Sequence, residues 1–273
     1  MNIEIRRAKP SDKRAVLDIV RTVWGGEDYI PEVFDAWVRD RRGPLYAAVV
    51  SGRVVGIGKI TRLTTDETWT EGARVAPRYR GRGIGRALLA HRVKQARRLG
   101  VRVTRFSTSE RNTPMHRIAR HLGFRKAATV DRWDADAAAG EPLRRARAAD
   151  VPRAWRLLRG ELIKDASGWR WRMFTREDVV RATRAGRCLL TQDRRAVAIL
   201  APARDREGLL VVATGADAAS AHSLFVGLRA EAARRRLENV SAYVPRGRFA
   251  RALRAAGYTR PYDESPVVYE KVL

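Results

Sequence analysis

One pattern occurs twice in the sequence, and this duplication limits the possible folds more than any other feature does. Residues 5–12 and 143–150 match at a constant offset of 138, and each predicts a short strand followed by an aspartate that begins an amphipathic helix. Near the ends of the two halves, residues 117–124 and 250–258 each predict a helix that stops at a glycine and an aromatic residue that opens a strand. An order of elements that is repeated in this way predicts two similar α/β domains.

Between these markers, both halves predict the same succession of elements: three apolar strands, one long helix and a further strand. In the first half these elements are residues 45–50, 54–62, 68–75, 85–99 and 101–107. In the second half they are residues 187–191, 196–203, 209–213, 218–237 and 240–244. Each domain is therefore expected to have a mixed central sheet flanked by helices.

The segment between the two halves is acidic and rich in alanine, and it contains Gly140 and Pro142, which interrupt regular structure. It predicts a linker at residues 134–142, between an N-terminal domain at residues 1–133 and a C-terminal domain at residues 143–273. Cys188 is the single cysteine and lies in an apolar stretch, which indicates a buried strand residue and excludes a disulfide within the chain.

A glycine-rich loop, Arg80-Gly81-Arg82-Gly83-Ile84-Gly85, stands between a strand that ends at Val75 and a predicted helix. Glycines allow positive φ, and successive N–H groups at a helix start converge on an anion, so this loop predicts a pyrophosphate site. The dinucleotide fingerprint needs the spacing Gly-x-Gly-x-x-Gly, whereas the glycines here alternate with single residues. The Gly-Lys-Ser/Thr ending of the ATP loop is absent as well.

Two motifs in the first half together point to one family. Arg80, Gly83 and Gly85 follow a strand that ends in Val-Ala-Pro, and Asn112 begins a predicted helix eleven residues before the Gly-Phe pair at 123–124. In spacing and order these residues resemble the acetyl-CoA motif and the later motif of the GNAT superfamily of N-acetyltransferases. The resemblance covers residues 3–133 by motif and residues 143–273 by the order of elements, so the chain resembles a tandem pair of GNAT domains.

The resemblance implies acetyl-CoA as the cosubstrate, transfer of its acetyl group to a primary amine, and no metal. It implies that backbone groups of Val75 and the side chain of Asn112 hold the pantetheine arm. By the same resemblance, the pyrophosphate would be held by Arg80, Gly81, Arg82, Gly83, Ile84, Gly85 and Arg86.

The second half departs from this pattern at its own loop. After the third strand, Gly215 is the single glycine where a phosphate cradle is expected, and Asp217 stands close behind it. A carboxylate there would repel pyrophosphate. We therefore expect a degenerate GNAT-like domain that has lost acyl-CoA binding and supports the first domain or shapes its acceptor cleft.

Acetyl transfer to an amine needs a base for the ammonium proton and a donor for the departing thiolate. Strict alternation in residues 68–75 puts Glu71 on one face with Val75, and Arg74 on the other. Glu71 is the predicted base, although a plain ion pair with an arginine would equally explain a glutamate there. The superfamily's usual acid is a tyrosine where this sequence has Ala119, and His116 is the candidate substitute, against the alternative of a structural histidine.

The acceptor is expected to meet residues 24–31, which link the first two helices and, in this superfamily, border the substrate cleft. Glu27 and Asp28 could meet a cation and Tyr29 could pack on it, although turn and capping roles explain the same residues. Together with Trp37 and residues 71–75, this stretch is similar to histidine N-acetyltransferase-like proteins, which favours a small amine or an amino acid. A protein amine or an aminoacyl-tRNA remains an alternative acceptor.

The net charge of +26 allows a different class of function, a basic nucleic-acid-binding protein with acetyl-CoA as a ligand only. Only seven of the 56 basic residues are lysines, and cysteine, methionine, glutamine and asparagine are scarce, which favours a GC-rich genome combined with heat adaptation as the origin of the charge. Nonspecific nucleic-acid binding is one expected consequence of the charge.

No signal peptide and no run of about 18 apolar residues is present, which predicts a cytoplasmic protein with no membrane partner.

Overall fold

In the computed structural model, the two copies of the repeated segment fold alike. Arg6 donates two hydrogen bonds of 2.8 Å to the carboxylate of Asp12, and Arg144 binds Asp150 in the same way at 3.0 and 2.6 Å. In each copy the aspartate also accepts a hydrogen bond from the backbone N–H of the residue three positions before it, at 2.7 and 2.8 Å. Each aspartate is the N-cap of its helix, but its side chain closes the preceding turn and does not cap the helix N–H groups.

The structure describes residues 1–165, 169–202 and 208–273, which fall into two compact units. The N-terminal unit comprises residues 1–108, 112–127 and 269–273, and the C-terminal unit comprises residues 109–111 and 128–268. The last five residues of the chain thus complete the N-terminal unit.

The elements of the first half resemble those predicted from the sequence. They are β1 (Glu4–Arg7), α1 (Lys13–Val20), α2 (Ile30–Arg39), β2 (Leu45–Val50), β3 (Arg53–Arg62), β4 (Glu67–Val75), α3 (Ile84–Arg98), β5 (Val103–Ser109), α4 (Thr113–His121) and β6 (Arg125–Asp136). The elements that follow are β7 (Arg144–Arg145), α5 (Val151–Leu158), β8 (Leu162–Lys164), β9 (Trp171–Met173), α6 (Arg176–Arg184), β10 (Cys188–Leu190), β11 (Ala196–Leu200), β12 (Gly208–Ala216), α7 (Ala221–Arg234), β13 (Asn239–Pro245), α8 (Ala250–Ala255) and β14 (Pro266–Val272).

In the N-terminal unit, β1 to β4 pair antiparallel in chain order and β5 joins β4 in parallel. One face of this sheet packs on α1 and α2 through a cluster that includes Phe34 and Ile57. The other face packs on α3 through a cluster that includes Val55 and Leu88. The sheet is therefore mixed and has an apolar core on each side.

A β-bulge in β4 changes which of its side chains share a face. Lys59 pairs with Glu71 and Ile57 pairs with Arg74. Two residue steps along β3 therefore lie opposite three residue steps along β4. Gly72, within the bulge, has φ +63°. Because Ile57 and Lys59 share one face of β3, Glu71 and Arg74 also share a face. The alternation predicted from the sequence, which separated these two residues, is wrong because the bulge inserts a residue.

In the C-terminal unit, β7, β10, β11 and β12 form an antiparallel order, β13 joins β12 in parallel, and β6 pairs antiparallel with β13. The small hairpin of β8 and β9 was not predicted from the sequence. Cys188 lies fully buried in β10, as predicted, and burial raises the pKa of its thiol to about 11.

The prediction of an α/β fold with a mixed sheet and flanking helices is confirmed. The predicted domain boundaries stay predictions, and one observation bears on them. Strand β6 continues to Asp136, inside the predicted linker, because it pairs with β13 along its whole second half. Ala203, the predicted end of one strand, lies outside the described residues.

Candidate active site

The glycine loop leads from β4 into α3 and leaves the start of that helix open. Gly81 and Gly83 have φ +76° and +83°, and a Cβ added to either would meet no atom within 4 Å. Gly83 is the N-cap of α3, and no side chain caps the helix. The first N–H groups of α3 therefore point into open space with the positive end of the helix dipole, which is the arrangement that binds an anion.

Arginines surround this opening. Arg80, Arg82 and Arg86 are all exposed. The Nε atom of Arg80 donates to the backbone carbonyl of Val75 at 3.2 Å, and the Arg82 guanidinium lies 5.8 Å from the ring centroid of Tyr79. The loop thus combines backbone donors with three positive charges, which fits a pyrophosphate group.

Strands β4 and β5 pair at one end and part at the other. Residues 67–69 of β4 pair with residues 103–105 of β5, whereas β4 continues to Val75 and β5 to Ser109. Within the described residues, no pair joins the two strands beyond Trp69 and Arg105. Beyond Trp69, this edge of β4 has no strand partner among the described residues, and it ends next to the anion site, so an extended ligand could pair along it.

Asn112 lies at the N-terminus of α4, on the chain that leaves β5. Its Oδ1 accepts the backbone N–H of Met115 at 3.3 Å, and its Nδ2 donates to the hydroxyl of Thr108 at 2.9 Å. The side chain is exposed and caps the helix. Its predicted contact with the pantetheine arm stays a prediction.

Glu71, the predicted base, lies half-buried beside the bulge. Its Oε1 accepts a hydrogen bond from the hydroxyl of Thr61 on the neighbouring strand. Gly72 follows it directly, and a Cβ there would come within 2.5 Å of the indole of Trp37 on α2. The Glu71 side chain is therefore on the α2 face of the sheet, the same face as the side chain of Lys59, its partner on β3.

Arg92 of α3 lies behind the same bulge, on the opposite face of the sheet. It is 2% exposed and donates to the backbone carbonyls of Leu88, Lys59 and Glu71 at 3.1, 3.4 and 3.3 Å. Burial lowers the pKa of Arg92 to about 10, and the charge of Glu71 partly opposes this. A Cβ on Gly58 would come within 2.9 Å of the guanidinium, so glycine at position 58 makes room for it.

The loop between α1 and α2 lies against the C-terminal end of β4. Asp28 accepts hydrogen bonds from Nε and Nη2 of Arg74 at 2.6 and 3.3 Å, and its side chain is 1% exposed. The cation that Asp28 meets in this structure is therefore Arg74. The Arg74 guanidinium also lies 4.6 Å from the ring of Trp24, which is 64% exposed, and 5.7 Å from the ring of Tyr29.

His116 of α4 lies near the C-terminal end of the chain. Its Nδ1 is 2.9 Å from the hydroxyl of Tyr269, in the part of the C-terminal segment that belongs to the N-terminal unit. Ala119, which stands where the family's tyrosine is expected, is fully buried.

The model of the acetyltransferase (GNAT) family matches residues 13–124, a range that contains the glycine loop, Glu71 and Asn112. Residues 13–124 thus match the GNAT family of acetyltransferases. The histidine N-acetyltransferase of Oreochromis niloticus is 30% identical over 83 residues, which are 30% of this chain and 25% of that protein. This chain thus aligns with about a quarter of that relative's length.

Two solved structures share the GNAT fold along nearly the whole chain. The GCN5-related N-acetyltransferase from Sphaerobacter thermophilus has a TM-score of 0.65 at 14% identity, and the match covers 99% of this chain and 95% of that chain. The GCN5-related N-acetyltransferase from Kribbella flavida has a TM-score of 0.54 at 18% identity, with coverages of 100% and 71%. At these identities the likeness concerns the fold alone.

The C-terminal unit has a different helix start. Asp217 accepts the backbone N–H of Ser220, the N-cap of α7, at 2.9 Å, and Asp193 accepts the Ser220 hydroxyl at 2.9 Å. The hydroxyl of Thr191 holds the pKa of Asp193 below its ordinary value. Gly215 has no positive φ, and a Cβ on it would come within 2.3 Å of the backbone carbonyl of Leu157. Two carboxylates thus occupy the place where the first unit has an open helix start.

Two residues of this candidate site were missed by sequence reasoning, Arg92 and Tyr269. The signal for Arg92 was its position within an apolar helix stripe, between Leu88 and Ala96, where a charge needs partners. No local signal could have placed Tyr269, because its neighbours are distant in the sequence.

Among the described residues, no group of three or more His, Cys, Asp or Glu is placed to hold a metal ion. None of the helices in the described part of the chain is both long and apolar enough to cross a membrane.

Proposed function

We propose that this chain is an acetyl-CoA-dependent N-acetyltransferase with its active site in the N-terminal unit. The observation that carries the proposal is the split between β4 and β5, which opens beside the uncapped N-terminus of α3. A pantetheine arm can pair along the edge of β4 that faces the split near Val75, as an added strand would. The pyrophosphate then meets the loop at residues 80–86, where N–H groups and arginines converge.

In the proposed reaction, a neutral amine attacks the acetyl carbonyl, the C–N bond forms and the C–S bond breaks. The ammonium proton passes to Glu71, directly or through one water, and the thiolate takes a proton elsewhere. Glu71 suits this role because it lies on the α2 face, as do Arg74, Trp37 and the loop between α1 and α2, which we propose as the acceptor side.

We propose a small primary amine or an amino acid as the acceptor. The similarity to a histidine N-acetyltransferase supports this class, and the exposed indole of Trp24 offers an apolar surface beside Tyr29. Asp28 contributes by holding Arg74 in place at this surface, and Tyr29 by lining it. The alternative acceptors are a protein amine and an aminoacyl-tRNA.

For the C-terminal unit we propose a supporting role without acyl-CoA binding. Asp193 and Asp217 at the start of α7 would repel a pyrophosphate and already satisfy Ser220.

The cofactor claim is tested by the melting temperature with and without acetyl-CoA. A ligand that binds only the folded protein raises this temperature, so we expect a rise at millimolar acetyl-CoA with wild type. Gly83→Asp places a carboxylate at the helix start and should abolish the rise. Gly100→Asp is the matched control, because Gly100 also has positive φ and no atom within 4 Å of an added Cβ, but lies beyond the other end of α3. An unchanged wild-type melting curve would contradict the proposal.

The acceptor is found by a thiol-release screen. Wild type and Gly83→Asp are mixed with acetyl-CoA and with amino acids, polyamines, peptides or charged tRNA, and the free thiol is measured. We expect release with a small amine or an amino acid and none with the variant. Release only with peptides or tRNA would replace the proposed acceptor class and leave the enzyme claim intact.

A further inference from the structure

The proposed reaction leaves one proton without a source. When the C–S bond breaks, the thiolate needs a proton or a hydrogen-bond donor, and α4 carries Ala119 where the family's tyrosine is expected. No residue of α4 is a tyrosine. A tyrosine near the C-terminal end of the sequence does contact α4, because the hydroxyl of Tyr269 on β14 lies 2.9 Å from Nδ1 of His116.

Tyr269 lies on β14, the neighbour of β5 on the side away from β4, and its ring packs on β5 where that strand leaves β4. It stacks on Phe106, with 5.3 Å between the ring centroids and an interplanar angle of 14°. Phe106 directly follows Arg105, the last residue of β5 that pairs with β4. The phenol is therefore packed on Phe106, the first residue of β5 that no longer pairs with β4, next to the split that the proposed function gives to the pantetheine arm.

Ion pairs on the next residue fix this segment of the chain in the N-terminal unit. Glu270 binds Arg105 at 3.0 Å and Arg125 at 2.7 Å. Arg105 is 3% exposed and also binds Glu67 of β4 at 2.6 Å. The 7% exposure of Tyr269 shows that its ring is held in the core and is not a surface side chain.

We propose that Tyr269 is the proton donor for the departing thiolate and that His116 positions its hydroxyl. This inference rests on the proposed acetyltransferase activity. The C–S bond breaks, the sulfur takes the hydroxyl proton of Tyr269, and the phenolate regains a proton from solvent, to which Glu71 returns the proton of the amine. In this step Nδ1–H of His116 donates a hydrogen bond to the phenol oxygen and holds it in place.

The two groups would then act from opposite faces of the sheet. Glu71 faces α2, whereas α4 lies beside α3, since a Cβ on Gly85 of α3 would come within 3.6 Å of Ile118 on α4. An amine could thus enter on one face while the thiol is protonated on the other.

The central test is Tyr269→Phe, which keeps the stacked ring and removes the hydroxyl. We expect kcat with acetyl-CoA to fall about 100-fold, the usual scale for loss of a general acid. The KM for acetyl-CoA and its effect on the melting temperature should stay unchanged. Tyr46→Phe is the matched control, because Tyr46 is equally buried and its ring lies 4.5 Å from that of His91, outside the site.

A second readout separates catalysis from structure. Bound CoA is titrated with pH by the carbon-13 shift of the methylene next to its sulfur. A hydrogen bond from Tyr269 stabilises the thiolate, so the thiol pKa of bound CoA should be higher in Tyr269→Phe than in wild type and Tyr46→Phe. An identical titration in all three proteins would overturn the proposal, because this measurement needs no acceptor.

The positioning role of His116 is tested by two variants. His116→Asn keeps an N–H close to the place of Nδ1 and should retain most of the turnover, whereas His116→Leu should approach the rate of Tyr269→Phe. Equal rates for both His116 variants and wild type would remove His116 from the proposal. If wild type binds CoA but releases no thiol with any amine, the proposed function fails, and that outcome differs from a Tyr269 variant that is as active as wild type.

Discussion

At the scale of single residues, the site is defined by what surrounds Glu71. Thr61 donates a hydrogen bond to its carboxylate, and Arg92 binds its backbone carbonyl from the other face of the sheet. A buried arginine that is bonded to three carbonyls is costly to remove, since those carbonyls would lose their donors. Arg92 thus stabilises the bulge that turns Glu71 toward α2.

Glu71→Gln removes the basic group and keeps the size of the side chain and an acceptor for Thr61. We expect turnover to fall about 100-fold, because general bases contribute on this scale, with acetyl-CoA binding retained. Thiol release and the melting-temperature rise are measured on the same samples. Glu32→Gln, the same change on the exposed surface of α2, is the control. Retained turnover in Glu71→Gln would leave the carboxylate with a structural role alone.

At the scale of elements, local patterns predicted most strands and helices, while long-range partners decided the rest. Strand β2 has the predicted bounds, and α3 begins one residue early, because apolar runs and a glycine loop mark both. The bulge in β4 could not be predicted from alternation, because nothing in the local sequence excludes Gly72 from a regular strand. The contacts at the bulge come from Trp37 and Arg92, which lie on distant helices. The placement of Tyr269 depends on Glu270 and Arg105, which are 165 residues apart.

The repeated turn gives a pH prediction for an element. Hydrogen bonds from Arg144 hold the pKa of Asp150 below its ordinary value. A carboxyl whose pKa is lowered by folding contributes stability above its unfolded pKa of about 3.9 and loses it as the pH falls through the folded value. Asp150→Asn should therefore cost about 2 kcal/mol of unfolding free energy at pH 7, and less at pH 3.

Urea unfolding at both pH values measures this difference. Asp18→Asn, on the exposed face of α1, is the control that should change little at either pH. A loss for Asp150→Asn that is equal at pH 7 and pH 3 would show that the charge of Asp150 is not what stabilises the turn.

At the scale of the whole molecule, ion pairs cannot neutralise the chain. With 56 basic and 30 acidic residues, one-to-one pairing of every carboxylate would still leave 26 positive charges. Several carboxylates bind two arginines each, as Glu231 binds Arg234 and Arg235, but such sharing leaves the net positive charge unchanged. Such a field attracts polyanions whatever the role of the active site.

We therefore expect the protein to bind duplex DNA at low salt without sequence preference. Binding of this kind comes from the release of counterions, so affinity should fall about 10³-fold or more between 50 and 200 mM salt. Fluorescence anisotropy with two unrelated duplexes measures both properties, and acetyl-CoA should leave the curves unchanged if the anion site and the charged surface are separate. Tight binding of one sequence that persists at 200 mM salt would contradict this, since nonspecific charge cannot supply it, and would make nucleic acid a specific partner of the chain.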